Sequence, residues 1–391
     1  MTETRNILLA LAALLLTACA TPPPPVPAEV APAEPPPIRI IKVEPLSIQE
    51  ADKSELRISI AAVGDMMIGT DYPRNHLPDD DGVSFFADVT EALSSTDITF
   101  GNLEGVLLDG GEPVKKCGNP DACYLFRSPT RYAKHYEAAG FDVLSLANNH
   151  ARDFGAEGWD SSMQALAEVG ILHSGREGDF ASFERNGLSI AVLAYAVTKN
   201  SNMLLDYEQS ERTVKVFAMS HDIVIVSFHG GAEGQDVTRL PFAEEEYYGE
   251  PRGDVVMWSR MVIDAGADLV IGHGPHVVRA MERYNDRLIA YSLGNFATYY
   301  GISVAGIKGV APILRVTLDG EGRFVEGDIV STRQLRPNGP SIDETNRALN
   351  LVRSLSIEDF GKPGLTFLTD GRIVPAERPP LEQSQPEDAK P

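Results

Sequence analysis

The sequence predicts a layered α/β domain, and three observations predict it. Short apolar runs alternate with stretches of helical periodicity, the pattern of sheets covered by helices. Many of these runs end in a polar, Gly-flanked step, as buried strands do when they deliver a side chain to one edge of a sheet. The segment Glu55 to Val374 has the length of a single large α/β unit, and no internal repeat divides it.

The expected strands, in order, are Arg57–Val63, Asp97–Phe100, Asp142–Ala147, Ser189–Ala194, Asp222–Phe228, Asp268–Ile271, Leu288–Ser292 and Ile313–Leu318. Each is rich in Ile, Val, Leu or Phe. Between them, Phe85–Leu93, Thr130–Ala139, Trp159–Val169 and Asp254–Ala265 read as helices. In the third, Trp159, Met163, Leu166 and Val169 recur at helical spacing and read as core. Leu314–Phe324 reads as a hairpin around a Gly-bearing turn, and Thr345–Leu355 as a final helix.

The two ends have other compositions. Arg5 precedes the apolar stretch Ile7–Leu16, which is too short to span a bilayer and has the proportions of a signal-peptide core. It runs into Leu16-Thr17-Ala18-Cys19, which resembles a bacterial lipobox. Residues 1–18 then read as a lipoprotein signal peptide and Cys19 as the lipidation site; the alternative is an ordinary signal peptide that carries a Cys. Acyl chains on Cys19 would anchor the protein to a membrane without spanning it. Residues 19–54 are dominated by Pro, Ala, Val and Glu and read as a tether, and residues 375–391 as a disordered tail. With Cys19 set aside, Cys117 and Cys123 remain as a pair that an oxidising compartment would close into a small loop disulfide. A zinc site is the rival, but no second Cys pair or nearby His has finger spacing.

A net charge of -22 excludes a nucleic-acid or anionic-lipid binding surface, which needs clustered Lys and Arg. An anionic substrate would need bound cations or a locally basic pocket.

Six motifs stand at the ends of apolar runs. They are Gly64-Asp65-Met66-Met67, Gly101-Asn102-Leu103-Glu104, Asn148-Asn149-His150 with Asp153, His229-Gly230-Gly231-Ala232-Glu233, Gly272-His273-Gly274-Pro275-His276 and Tyr291-Ser292-Leu293-Gly294-Asn295-Phe296. Carboxylate, amide and imidazole groups brought to one edge are the ligand set of a metal centre with mixed oxygen and nitrogen donors. Asn148 or Asn149 also suits a helix N-cap, and His229 taken alone suits a structural role. The paired imidazoles of His273 and His276, held in a Gly-Pro turn, are the most specific signal. Four of the eight His lie in these motifs.

In this order the motifs resemble the CapA, or poly-gamma-glutamate capsule synthesis, family, which is related to the calcineurin-like metallophosphoesterases. The resemblance runs from about Ile58 to Phe296 and implies a four-layered α/β/β/α sandwich of metallophosphoesterase type, with one or two divalent ions (Mn, Zn or Fe) at the strand ends. It makes Asp65 a ligand of a first metal, Glu104 a carboxylate between two metals, and Asn149, His229 and His273 ligands of the second, with His276 returning to the first. His150 would stabilise or protonate a leaving group, and Asp153 would orient it. Met67 stands where such enzymes usually have a His, which removes a nitrogen ligand from the first metal. Gly230 replaces the Trp of His-Trp-Gly, and Gly274 replaces a His.

Two functions follow from the resemblance. One is a bacterial cell-envelope lipoprotein, lipid-anchored on the periplasmic or extracellular face, whose metal-dependent hydrolase site acts on a phosphoester or amide in a surface polymer or its precursor. The other is a non-catalytic assembly or anchoring factor for such a polymer. A solute-binding protein is a third reading that leaves the paired His unexplained.

Overall fold

The computed structural model describes residues 53–115 and 124–377. Cys19, Cys117, Cys123, the signal peptide and nearly all of the tether and tail lie outside the described residues. Two sheets pack face to face. The larger, ten-stranded sheet includes the strands Val310–Asp319, Arg57–Met67, Ile98–Leu103, Val143–Ser145 and Leu172–Ser174, in that order, the last at an edge. The six-stranded sheet runs in the order Met281–Tyr284, Arg287–Ala290, Leu269–His273, Ile223–His229, Leu188–Ala196 and Ala181–Arg185.

Side chains that alternate along each strand divide between two environments. Ile58, Ile60 and Ala62 point into a core shared with Ile223, Ile225, Leu269 and Ile271 of the other sheet. Ala61 and Val63 face the opposite way, against Ala133 and Tyr136 of helix Ala133–Ala138 and Trp159 and Leu166 of helix Gly155–Glu168. On the far side, Val224, Val226 and Val270 pack under Val214 of helix Tyr207–Ala218 and Trp258 and Val262 of helix Val255–Asp264. The order is helices, sheet, sheet, helices, so the molecule is a four-layered α/β/β/α sandwich. Helix Arg347–Phe360 sends Leu349 and Val352 into the inter-sheet core and Leu355 into the outer cluster, which closes one edge.

The direction of the strands positions the site. Arg57–Met67, Ile98–Leu103 and Val143–Ser145 are parallel, as are Leu188–Ala196, Ile223–His229 and Leu269–His273. Register sets Asp65 beside Asn102 in one sheet and His273 beside His229 in the other. Oxygen donors thus come from one sheet and imidazoles from its partner.

Several elements differ from the sequence reading. Of Phe85–Leu93, only Thr90–Leu93 is α-helix; upstream, the Asp80 carboxylate accepts from the Gly82 and Ser84 N–H groups, and the chain proceeds by three-residue turns instead. The unanticipated helix Tyr207–Ala218 begins at an Asp206 cap that accepts from Gln209 N–H at 2.9 Å; it fully buries only Ser210 and Val214, with Tyr207, Phe217 and Ala218 packed beside them at helical spacing among charged residues. Met281–Tyr284 pairs with Arg287–Ala290 through a turn in which Asn285 and Asp286 both have positive φ. The fold also reaches slightly past the bounds 55–374: Lys53 pairs with Asp222 at 2.6 Å, and the last strand ends at Pro375. Among the described residues no helix is long and apolar enough to cross a membrane.

Ile271 is fully buried between the sheets, two residues before His273. Ile271→Ala is expected to cost about 2–5 kcal/mol in denaturant unfolding, whereas Ile357→Ala at a half-exposed helix position should stay within about 0.5 kcal/mol. Equal losses at both would show that the inter-sheet core is not what holds the domain.

Candidate metal centre

Two close backbone crossings hold the strand ends together. A Cβ on Gly64 would collide with the Gly294 carbonyl oxygen, the same oxygen that accepts the Asp65 N–H at 2.9 Å. Gly274 has φ +114°, and a Cβ there would lie 2.6 Å from the Gly230 carbonyl oxygen, while Gly230 N–H donates to His273 O at 3.0 Å. Larger residues at either place would push the ligand strands apart.

At this edge Asp65, Glu104 and His229 are buried and offer one donor atom each, all within 4.8 Å of one another. Asn102 sits among them: its amide nitrogen donates to Asp65 Oδ1 at 2.9 Å and to Glu104 Oε2 at 2.8 Å, and lies 3.5 Å from His229 Nδ1. Its own oxygen accepts from Asn148, which also donates to Leu103 O at 2.7 Å. His273 Nδ1 is 3.5 Å from Asp65 Oδ1. His276 Nδ1 is 2.9 Å from Asp65 Oδ2 and 2.9 Å from Asn295 Oδ1, and His276 has φ +58°, a left-handed conformation uncommon for a side chain of its size. Glu233 approaches from the facing loop, 3.0 Å from Arg252 Nη2, 3.5 Å from Asn149 Nδ2 and 3.9 Å from His276 Nε2.

Burial and charge set the ionisation. Burial alone would raise the Asp65 pKa, but the adjacent imidazoles of His273 and His276 hold it well below the usual carboxylate range. Glu104, buried beside the Asp65 charge, is pushed up to about 8. Burial pushes His229 well below its ordinary value. His276 would also be lowered by burial, yet its contact with the Asp65 carboxylate lifts it to about 9.

His150 adjoins this group. Its Nδ1 lies 2.8 Å from Asp153 Oδ2, and because a carboxylate only accepts, Nδ1–H is the donor and Nε2 is left for a ligand. Asp153 is held in turn by Phe126 N–H at 2.9 Å and by Lys115 Nζ at 3.1 Å. The Phe126 ring packs on the imidazole at 4.3 Å, and burial lowers the His150 pKa. A cleft of about 200 Å³ opens here, lined among others by Phe126, His150, Glu233, Tyr247, His276 and Lys308. Met67 packs with Phe126 and Ile302 in a small apolar cluster.

The residues present suit a divalent metal. Glu104 Oε1, Asn149 Oδ1, His229 Nε2 and both His273 nitrogens are buried without a hydrogen-bond partner in the protein. Leaving such atoms unpaired is costly, and they are the hard oxygen and imidazole donors that a divalent ion takes. These atoms belong to the residues that the family resemblance assigns to the second metal and its bridge. On the first-metal side, Asp65 and His276 face each other and Met67 is apolar.

Asn102 and Glu233 stood in the sequence motifs without a role, and the structure puts both at the centre. Lys115 and Arg252 carried no sequence signal, since neither lies in a motif: Lys115 arrives from a loop and Arg252 from the short strand Glu250–Gly253.

Comparison with known proteins agrees with the motifs. The family model described as bacterial capsule synthesis protein PGA_cap matches residues 59–300. The capsule biosynthesis protein CapA of Bacillus anthracis is 27% identical over 278 residues, 65% of this chain and 62% of that protein. The PGA biosynthesis protein CapA of Bacillus subtilis is 29% identical over 259 residues, 61% of this chain and 63% of that protein. The chain therefore spans less than two thirds of the length of these relatives. Among solved structures, the calcineurin-like phosphoesterase YfkN from Bacillus subtilis is 13% identical with a TM-score of 0.36, covering 77% of this chain and 96% of that one.

Asn102→Ala removes the amide that holds the Asp65 and Glu104 carboxylates together. It is expected to weaken divalent-metal affinity by about 10–100-fold, measured by titration in metal buffers. Unchanged affinity would mean that the amide does not orient the ligands.

Proposed function

The chain belongs to the bacterial capsule synthesis protein PGA_cap family, and from that premise we propose that it is a cell-envelope protein of capsule or poly-gamma-glutamate-type polymer biosynthesis that hydrolyses a phosphoester or amide bond. The observation that carries this reading is the set of unpartnered buried donors on Glu104, Asn149, His229 and His273, next to a cleft bearing the His150–Asp153 pair. A divalent ion held by these residues, with Asp65, supplies Lewis-acid polarisation. Asn102 keeps the two carboxylates in place, and His150 exchanges a proton with the reacting group through Nε2. Asp153, anchored by Phe126 N–H and Lys115, fixes the tautomer and orientation of that imidazole. Anchoring through acylated Cys19, argued from the lipobox-like Leu16–Cys19, places the site at the membrane surface.

One observation favours a non-catalytic assembly role. Met67, packed with Phe126 and Ile302, offers no nitrogen donor to the first-metal side, so a bound ion would serve to hold the fold.

The full chain loaded with Mn, Zn or Fe is expected to turn over a member of a panel of phosphoesters and γ-glutamyl amides. His150→Ala should lower the rate by about 10²–10⁴-fold while metal content is kept. Metal binding without turnover of any substrate would favour the assembly role, and turnover that survives complete metal removal would overturn the hydrolase reading.

A further inference from the structure

Three charged side chains buried near the centre have no part in the chemistry described above. Arg279 and Glu245 meet in a two-pronged pair, Nη1 to Oε1 at 2.8 Å and Nη2 to Oε2 at 2.7 Å. Arg252 is also buried, on the second strand of the hairpin that Glu245–Tyr247 forms with Glu250–Gly253. Taking such charges out of water is costly, and an apolar pair of similar volume is often as stable or more so. What these charges do is hold backbone. Glu245 Oε2 accepts the Ala232 N–H at 3.0 Å, Arg252 Nε donates to Gly231 O at 2.9 Å, and Arg279 Nε donates to Val237 O at 2.8 Å. Gly231 lies so near the pair that a Cβ on it would be 2.8 Å from Arg279 Nη1. The loop from His229 to Glu233 is thus held at Gly231 and Ala232, and at its end Arg252 Nη2 meets Glu233 Oε1 at 3.0 Å.

Glu233 Oε1 also lies 3.5 Å from the Asn149 amide nitrogen, while Asn149 Oδ1 is buried without a hydrogen-bond partner. A carboxylate only accepts, so it faces the NH2 group of the amide and not its oxygen. We propose that Glu245, Arg279 and Arg252 are positioning residues that fix Glu233, and that Glu233 turns the Asn149 amide so that its oxygen is left free as a donor to a divalent ion. An unoriented amide would offer N–H as readily as oxygen. None of these four residues needs to touch the ion. The proposal rests on the reading of Asn149 as a ligand and is independent of which bond is hydrolysed.

Metal affinity of the full chain, titrated in buffered Mn or Zn, reads this orientation. Glu233→Leu is expected to weaken binding about 10–100-fold. In an Asn149→Asp background, where either side of the group presents an oxygen, the same substitution should cause no loss. Replacing the buried pair together, Arg279→Met with Glu245→Leu, is expected to keep the denaturant midpoint of the metal-free protein near that of wild type and still weaken binding to a similar extent. Arg252→Met, which leaves that pair intact, should do the same. Neither should add to the loss from Glu233→Leu, because all act through one contact. The proposal is overturned if Glu233→Leu loses as much in the Asn149→Asp background, if affinity falls only as far as stability does, or if the losses add. Wild type that binds no divalent ion overturns it together with the ligand reading. Absence of turnover with this pattern of affinities intact would fail the hydrolase reading alone.

Discussion

Two carboxylates, Asp65 and Glu104, are buried side by side with one amide, Asn102, donating to both. Removing charged groups from water costs several kcal/mol each, and like charges add to it. That cost explains the surroundings. The imidazoles of His229 and His273 end strands of the opposite sheet and that of His276 lies in the turn that follows, so the carboxylates of one sheet face imidazoles delivered by the other. The strand ends must therefore be held closely here, and the backbone approaches of Gly64 to Gly294 and of Gly274 to Gly230 do so.

The two halves of the site are not equivalent. On one side Asp65 and His276 neutralise each other, with His276 held in a left-handed conformation by a turn that also bonds Asn295. Such a conformation in a non-glycine residue costs on the order of 1 kcal/mol or more and persists because its surroundings determine it. On the other side donor atoms of Glu104, Asn149, His229 and His273 remain buried without protein partners. At Met67 a thioether joins Phe126 and Ile302, so the wall beside His150 is apolar.

Charge also shapes what reaches the site. Most cations around the cleft are used internally, Arg252 on Glu233 and Lys115 on Asp153, and so steady the loops that frame it. What remains for an incoming ligand is a narrow mixture of one ammonium, one carboxylate and aromatic surface. That mixture selects by chemistry, not by overall attraction.

The sequence by itself determined the α/β alternation, the strand ends that carry Asp65, Glu104, His229 and His273, and the anomaly at Met67. These are local properties: apolar period, Gly-flanked steps and residue type show without knowledge of the partner strand. It did not show helix Tyr207–Ala218, which buries only Ser210 and Val214 fully, or the contributions of Lys115 and Arg252, which come from a loop and a four-residue strand outside any motif. Tertiary structure alone decided that the carboxylates and imidazoles come from different sheets, that one amide joins the acids, and that one half of the centre closes on itself while the other stays open. Each of those depends on distances between segments far apart in the chain, set by sheet register and by how closely two backbones can cross.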